Sequence, residues 1–269
     1  VSVDLEDCSE SIIVKFKSMV SNSSMIKFNE VAPIIFDSGY EKIQADSISS
    51  MTKRAVKTNV HLGSPYSSRG KNQQGDPVRF VGSVGCRAMH GTEHGFVTAA
   101  HCLPKMGLSV CIGETDTNLG KVTSVKLNAS SDAAFVAVDY DKYYPTNTTY
   151  RTKTALYDKI LKNSSLVGYE VSTEGQKTAN VVKAKVTEIN KKVHVQKWTP
   201  AGQADFYANN MVYATFTSSQ TQEGDSGGIV YVNGYVAGIH SARLGNTTQI
   251  FSSAELVLKD LGLTNIWEK

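Results

Sequence analysis

The chain has 269 residues, 41% of them hydrophobic and 20% charged. These values lie near the globular average and exclude a disordered or collagen-like chain. The 28 Lys and Arg against 25 Asp and Glu leave a net charge of +3, too small and too scattered to argue for nucleic acid.

No apolar run approaches the roughly 18 residues that span a membrane. The chain opens on Val1, which sets the expectation that a signal peptide has been removed and the protein is secreted. In the first 57 residues, Ser11 to Val20 alternates imperfectly and reads as a strand. Ser38 to Lys57 is helix-compatible, with Ser38 and Glu41 as a possible cap. This α+β extension, 1–57, is either an integral part of the protein or a retained pro-segment.

Residues 66–76 are polar and Gly/Ser-rich and read as a loop or linker. Beyond them, short strands are expected at Val78 to Met89, Gly95 to Ala100, Leu108 to Ile112, Lys121 to Leu127 and Ala133 to Val138. A second set follows at Val181 to Ile189, Lys192 to Gln196, Met211 to Phe216, Gly228 to Val232 and Tyr235 to Ile239. Asn233-Gly234 is a hairpin signal, because both residue types tolerate positive φ. Ser252 and Glu255 fit a capping box ahead of a helix from Ala254 to Leu261, ended by Gly262. Two clusters of strands and a terminal helix predict a mostly β chain built as two barrels, about 58–155 and 156–269.

Four cysteines, Cys8, Cys86, Cys102 and Cys111, suit a secreted chain with two disulfides and allow three pairings. Five N-x-S/T sequons begin at Asn22, Asn128, Asn147, Asn163 and Asn246. No Cys/His cluster has zinc spacing, so neither metal nor cofactor is expected.

Three stretches carry chemistry. Gly95-Phe96-Val97-Thr98-Ala99-Ala100-His101-Cys102 delivers a histidine from the end of an apolar strand. Ser130-Ser131-Asp132 sets a carboxylate at the mouth of another. Glu223-Gly224-Asp225-Ser226-Gly227-Gly228 offers a serine flanked by glycines that permit a tight turn. A serine nucleophile needs a base, and an imidazole base needs a third group to hold its tautomer. Backbone N–H groups gathered in such a turn stabilise an oxyanion by about 3 kcal/mol each. Singly, each residue has a structural reading. Together, in the order His, Asp, Ser, they point to acyl transfer.

From about residue 60 to 269 the chain resembles the chymotrypsin-fold serine endopeptidases, most of all the secreted bacterial streptogrisin and α-lytic type. The resemblance rests on Thr98-Ala99-Ala100-His101-Cys102 and Gly224-Asp225-Ser226-Gly227-Gly228. It implies two antiparallel six-stranded β-barrels. It also implies His101 as general base, Asp132 as its orienting partner, Ser226 as nucleophile, and the amides of Gly224 and Ser226 as oxyanion donors. It further implies a Cys86–Cys102 disulfide, leaving Cys8 and Cys111 as a second pair or as free thiols. A monomer acting on protein or peptide substrates is expected. No Ile-Val-Gly-Gly-type sequence precedes the core, so a zymogen switch in which a new N-terminus pairs with Asp225 is not supported. Lys53-Arg54 is a candidate processing site.

Six residues before Ser226 stands Gln220, where trypsins carry Asp, which argues against cleavage after Lys or Arg. Relatives that cut after Glu carry a histidine at the position of His240, and the staphylococcal type a threonine at that of Thr221. An imidazole beside a hydroxyl can hydrogen-bond a side-chain carboxylate, and protonation would add charge. The pocket is therefore assigned to Thr221, His240 and Ser241, with Arg243 adding positive potential. The expected activity is cleavage after Glu, less so after Asp. The alternatives are cleavage after large apolar residues and a catalytically silent binding protein on the same scaffold.

Overall fold

The computed structural model describes residues 2–5, 10–19, 27–30, 34–36, 39–42 and 57–263. The chain divides into two compact units, 1–35 and 36–269. In the smaller, β1 (Ser2–Leu5) and β2 (Lys27–Glu30) pair in parallel, with α1 (Glu10–Met19) between them in sequence. The expected strand at Ser11 to Val20 is thus a helix. Ile13 and Phe16, three residues apart, are its partly buried apolar positions, while Ile12 and Val14 stay exposed. The β-branched run therefore imitated strand alternation while the burial followed helical spacing. A parallel strand pair also needs a long crossover, which a helix supplies.

A short strand, β3 (Ile34–Phe36), ends at the first residue of the larger unit. Next comes β4 (Gly39–Lys42), which replaces the start of the helix expected over 38–57; residues 43–56 of that expectation lie outside the described ones. β5 (Thr58–Leu62) is followed by β6 (Pro65–Lys71), β7 (Pro77–Ser83), β8 (Arg87–His90), β9 (Glu93–Thr98), β10 (Ser109–Ile112), β11 (Asn118–Val125) and β12 (Ala134–Val138). Their sheet runs β4-β7-β6-β10-β11-β12-β9-β8. β7 and β8 act as one strand bent at Val84–Cys86, because Gly85 donates to the Val97 carbonyl and the Val97 amide to the Cys86 carbonyl. Counted so, and leaving β4 aside, the first barrel has six strands. β5 pairs in parallel with β13 (Tyr143–Thr149). The expected loop at 66–76 is largely β6, whose Tyr66, Ser67 and Ser68 are buried. Small hydroxyl side chains are tolerated there because the backbone is paired on both edges, to β7 and β10.

The second barrel contains β14 (Glu170–Glu174), β15 (Val182–Thr199), β16 (Gly202–Phe216), β17 (Ile229–Val232), β18 (Tyr235–Leu244) and β19 (Thr248–Ser253). The order β17-β14-β15-β16-β19-β18 closes on itself through β17–β18 pairing. This is a mostly β, chymotrypsin-like fold. Asn233 (φ 50°) and Gly234 (φ 82°) form the expected β17–β18 turn. α2 (Ala254–Leu261) ends on Gly262 in the left-handed region, whose amide reaches the Leu258 and Lys259 carbonyls. The expected capping box is absent. Ser253 is the N-cap and makes no side-chain cap, Ser252 Oγ accepts the Asp132 amide, and Glu255 accepts the Asn163 amide. A shared core joins Val97 and Phe135 of the first barrel to Ile229 and Ile239 of the second and to Val257 and Leu261 of α2. Each such side chain contributes about 1.5–3 kcal/mol on burial.

Candidate active site

The antiparallel β9–β12 ladder ends with Thr98 opposite Ala134. His101 lies three residues beyond Thr98 and Asp132 two before Ala134, so both leave the same end of one ladder. There the His101 amide donates to Asp132 Oδ1 at 2.9 Å, and its Nδ1 lies 2.6 Å from Asp132 Oδ2. On the other side, His101 Nε2 lies 2.9 Å from Ser226 Oγ. The Ser226 hydroxyl in turn donates to the Ser241 carbonyl at 2.9 Å. All three side chains are buried.

Burial alone pulls the His101 pKa down, but the charge of Asp132, with a smaller contribution from Cys102, outweighs it and carries the value up to about 10. Burial pushes Asp132 up, yet the His101 charge and hydrogen bonds hold it below the usual carboxylate range. The pair is closed off from water, and each partner favours the charged form of the other.

Ser226 reaches this line from the turn before β17. Gly227 (φ 86°) has no room for a Cβ, which would stand 2.0 Å from Thr98 Oγ1 and 2.5 Å from the Ser83 carbonyl. Its amide donates to the His240 carbonyl at 2.8 Å, tying the turn to β18. The Asp225 carbonyl accepts the Gly228 amide at 2.9 Å, which turns the Ser226 N–H of the same planar peptide to the opposite side. Neither the Gly224 nor the Ser226 amide has a backbone acceptor among the described residues. Two such donors beside a serine hydroxyl are what an oxyanion requires.

The buried Asp225 carboxylate anchors this loop. It accepts the amides of Lys177 (2.8 Å), Thr178 (3.0 Å) and Gln222 (2.8 Å), and the Thr178 hydroxyl. From the first barrel, Ser83 donates its hydroxyl to the Gly224 carbonyl at 2.7 Å and accepts the Gln176 amide. Sequence reasoning missed Ser83, Thr178 and Ser252, because each acts through a backbone group far away in sequence and no local motif marks it.

At the proposed specificity pocket, His240, Ser241 and Thr221 are buried. His240 Nδ1 accepts from Gln249 Nε2 at 3.2 Å, and the same amide donates to Thr173 Oγ1 at 2.7 Å. In this orientation of the Gln249 amide, Nδ1 is the acceptor, and a neutral ring then carries its proton on Nε2. The Ser241 hydroxyl faces Asp132 and helps hold its carboxyl low. The Arg243 guanidinium binds the Gly245 carbonyl and Asn246 Oδ1 at the β18–β19 turn.

The cysteine expectations also need correction. Cys86, Cys102 and Cys111 carry free thiols. Cys86 belongs to the core shared by the barrels, where burial pushes its pKa up to about 12. Cys102 instead interacts with Tyr66 and His101. Each sulfur is thus taken up in its own packing neighbourhood. Cys111 is half-buried beside Asp116, Arg69 and Arg79, and Cys8 lies outside the described residues.

A sequence model of the trypsin family matches residues 56–253. Among solved structures, the fold is similar to Thermobifida fusca protease A, with a TM-score of 0.59 and 18% identity over 78% of this chain and 100% of that one. It is also similar to a Nocardiopsis protease, with a TM-score of 0.57 and 21% identity over 78% and 100%. A serine protease described as specific for glutamic acid, using a histidine triad in substrate binding, gives 0.58 and 22% over 77% and 100%. No curated protein sequence matches the chain.

Proposed function

The chain belongs to the trypsin family of chymotrypsin-fold serine proteases, and within that family we propose that it is an endopeptidase cutting after glutamate and more slowly after aspartate. Ser226 acts as nucleophile, His101 as base and then acid, and Asp132 as the group that holds the imidazole in place. The observation that carries these roles is the unbroken line from Asp132 Oδ2 through the His101 ring to Ser226 Oγ, at 2.6 and 2.9 Å. In its neutral form His101 takes the Ser226 proton as Oγ adds to the scissile carbonyl. The amides of Gly224 and Ser226 receive the oxyanion, and the acyl-enzyme is then hydrolysed by water.

For the acidic preference, the supporting feature is His240, held by Gln249 so that Nε2–H is a donor. Gln220, at the trypsin aspartate position, is uncharged and exposed. The fold neighbour described as glutamate-specific is said to use three histidines. Here one histidine is backed by Gln249 and Thr173. At 22% identity that likeness is one of fold, so the reading rests on this chain's own residues. Asp has a shorter stem than Glu, and a carboxylate falling short of a donor set at Glu depth loses about 1.5–3 kcal/mol, or 10- to 150-fold in rate. The enzyme is read as an extracellular monomer. Sequon residues Asn128 and Asn246 are exposed, whereas Asn163 is buried and donates to Asn190.

The test is a profile of cleavage sites on a denatured protein. Cuts after Glu are expected, reduced about 10- to 100-fold by His240→Ala while fluorophosphonate labelling of Ser226 persists. Cleavage mainly after Phe, Tyr or Leu would overturn the acidic pocket and leave the endopeptidase standing. Absence of labelling in folded, processed protein, with Ser226→Ala as blank, would overturn both.

A further inference from the structure

Asp132 leads into β12 of the first barrel, but the residues that deliver it are held by the second barrel and by α2. The Tyr207 amide of β16 donates to Asn128 Oδ1 at 2.9 Å. The Asn209 amide and side chain both donate to the Ala129 carbonyl, and the Asn210 amide to the Ser130 carbonyl, each at 2.9 Å. Ser131 donates its amide and its hydroxyl to Asp260 Oδ2 of α2, both at 2.8 Å. The Asp132 amide then donates to Ser252 Oγ of β19.

Of these anchors, Asp260 is the charged one, and its place is unusual. Helix C-termini favour cations, because their last carbonyls leave partial negative charge there. A carboxylate one residue from the end of α2 runs against that preference. Val257, three residues before it, and Leu261, one after, are buried in the shared core, and Asp260 beside them is half-buried. There a single oxygen takes both donors of Ser131, which is itself buried. Hydrogen bonds to an ionised acceptor are about twice as strong as neutral ones. Because each peptide is planar, holding the Ser131 and Asp132 amides fixes the two successive planes that lead into Asp132. The direction of its carboxylate toward His101 Nδ1, 2.6 Å away, follows from those planes.

We propose that Asp260 is a positioning residue: by gripping Ser131 from the terminal helix, it aims the Asp132 carboxylate at the His101 ring, a role that rests on the endopeptidase reading above. Asp260 touches neither substrate nor the reacting atoms and acts through Ser131 alone. The first barrel supplies the base and the second the nucleophile, so the carboxylate that orients the base is set by groups from the nucleophile's side. A shift of α2 relative to β12 would reach His101 through this contact. Misplacing a catalytic group by about 1 Å costs roughly 100-fold in rate, which sets the scale of the effect.

The experiment compares full-length Asp260→Ala, Asp260→Asn and Leu258→Ala by two readouts. One is kcat and KM on a small ester substrate, per active site titrated with a fluorophosphonate. The other is the low-field proton resonance of His101 Nδ1–H, which reports its hydrogen bond to Asp132 and needs no turnover. Leu258→Ala thins the core under α2 without touching Ser131 and controls for loss of stability alone. Asp260→Ala is expected to lower kcat roughly 10- to 100-fold and to move the resonance. KM should stay within about twofold, because the carboxylate makes no contact with bound substrate. Asp260→Asn, which keeps an acceptor oxygen, should recover part of the rate. Leu258→Ala should lower Tm and leave both readouts where they are. If Asp260→Ala folds poorly by circular dichroism, Ser131→Ala, which removes one of the two donors, is expected to lower kcat about 3- to 10-fold. Wild-type kcat per site and an unmoved resonance in Asp260→Ala, with only Tm reduced, would overturn the proposal and leave the protease intact. The same result in Ser131→Ala, where that variant is the one read, would overturn it equally. Wild-type chain that never labels would overturn the endopeptidase reading and the positioning role with it.

Discussion

The amide of Ser83, in the first barrel, donates to the carbonyl of Ser226, in the second, at 2.8 Å. With its hydroxyl on the Gly224 carbonyl, Ser83 grips the nucleophile turn at two points and sets where its amides face. Removing that hydroxyl leaves the buried Gly224 carbonyl and the Gln176 amide without this partner, at about 1–3 kcal/mol. Ser83→Ala should therefore lower kcat roughly 10- to 100-fold. KM should change little, because an oxyanion donor acts in the transition state. Steady-state kinetics on a small ester substrate checks this, and a rise in KM with kcat unchanged would contradict it.

A second expectation concerns Asp225. In a switch driven by a new N-terminus, this carboxylate would wait for an ammonium group. Here three amides and the Thr178 hydroxyl already surround it. The loop is thus built by neutral donors from the chain's interior. Asp225→Ala leaves those donors orphaned and should cost activity by about 10²–10³. Thr178→Val, which removes one donor and keeps the shape, should cost less. Acetylating the amino terminus of processed protein should leave kcat unchanged; a large loss on acetylation would restore the N-terminal switch.

Much of this site was legible in the sequence because its chemistry is local. His101, Asp132 and Ser226 each stand at the end of an apolar strand, and the glycines around Ser226 mark a turn that only they can make. The terminal helix and the Asn233-Gly234 turn were equally readable, since each depends on residues adjacent in the chain. What escaped was decided across the fold. Ser252 looked like a helix cap and instead receives the Asp132 amide. β6 looked like a linker because its serines are polar, and its two paired edges are invisible in one dimension. Lys192 to Gln196 looked like a separate strand, yet it continues β15 to Thr199, because the long β15–β16 hairpin keeps pairing through register shifts.

The His101–Asp132 pair sets a pH dependence of stability. The folded-state pKa of His101 is raised, to about 10, above the unfolded value of about 6.5. A group whose pKa rises on folding binds its proton more tightly in the native state. Its contribution is fully present below pH 6.5 and is lost as pH climbs toward 10. The lowered pKa of Asp132 acts at the acid end: its contribution is present above the unfolded carboxylate range and is lost on acidification. Thermal unfolding of Ser226→Ala, which avoids self-digestion, should therefore show Tm falling between pH 7 and 10. The same fall should be much smaller in the double variant Ser226→Ala, His101→Phe. An equal slope in both would remove the pair as its cause.

The last expectation separates the pocket from the catalytic line. Gln249 donates to both His240 Nδ1 and Thr173 Oγ1, so it fixes the tautomer that presents Nε2–H. Replacing it with leucine keeps the volume near and deletes both hydrogen bonds. His240 can then carry its proton on either nitrogen, and a P1 carboxylate meets a donor only part of the time. Only the fraction of His240 carrying Nε2–H is then competent, so Gln249→Leu should lower kcat/KM for Glu substrates roughly 2- to 10-fold, short of the loss expected when the donor is removed outright. The nucleophile turn is tied to His240 through the Gly227 amide and the His240 carbonyl rather than through the imidazole. Fluorophosphonate labelling, which needs no P1 side chain, should therefore stay within about twofold of wild type. The ratio of Glu to Phe cleavage is the decisive readout. If it holds constant while both rates fall together, Gln249 only supports the barrel and His240 does not select the carboxylate.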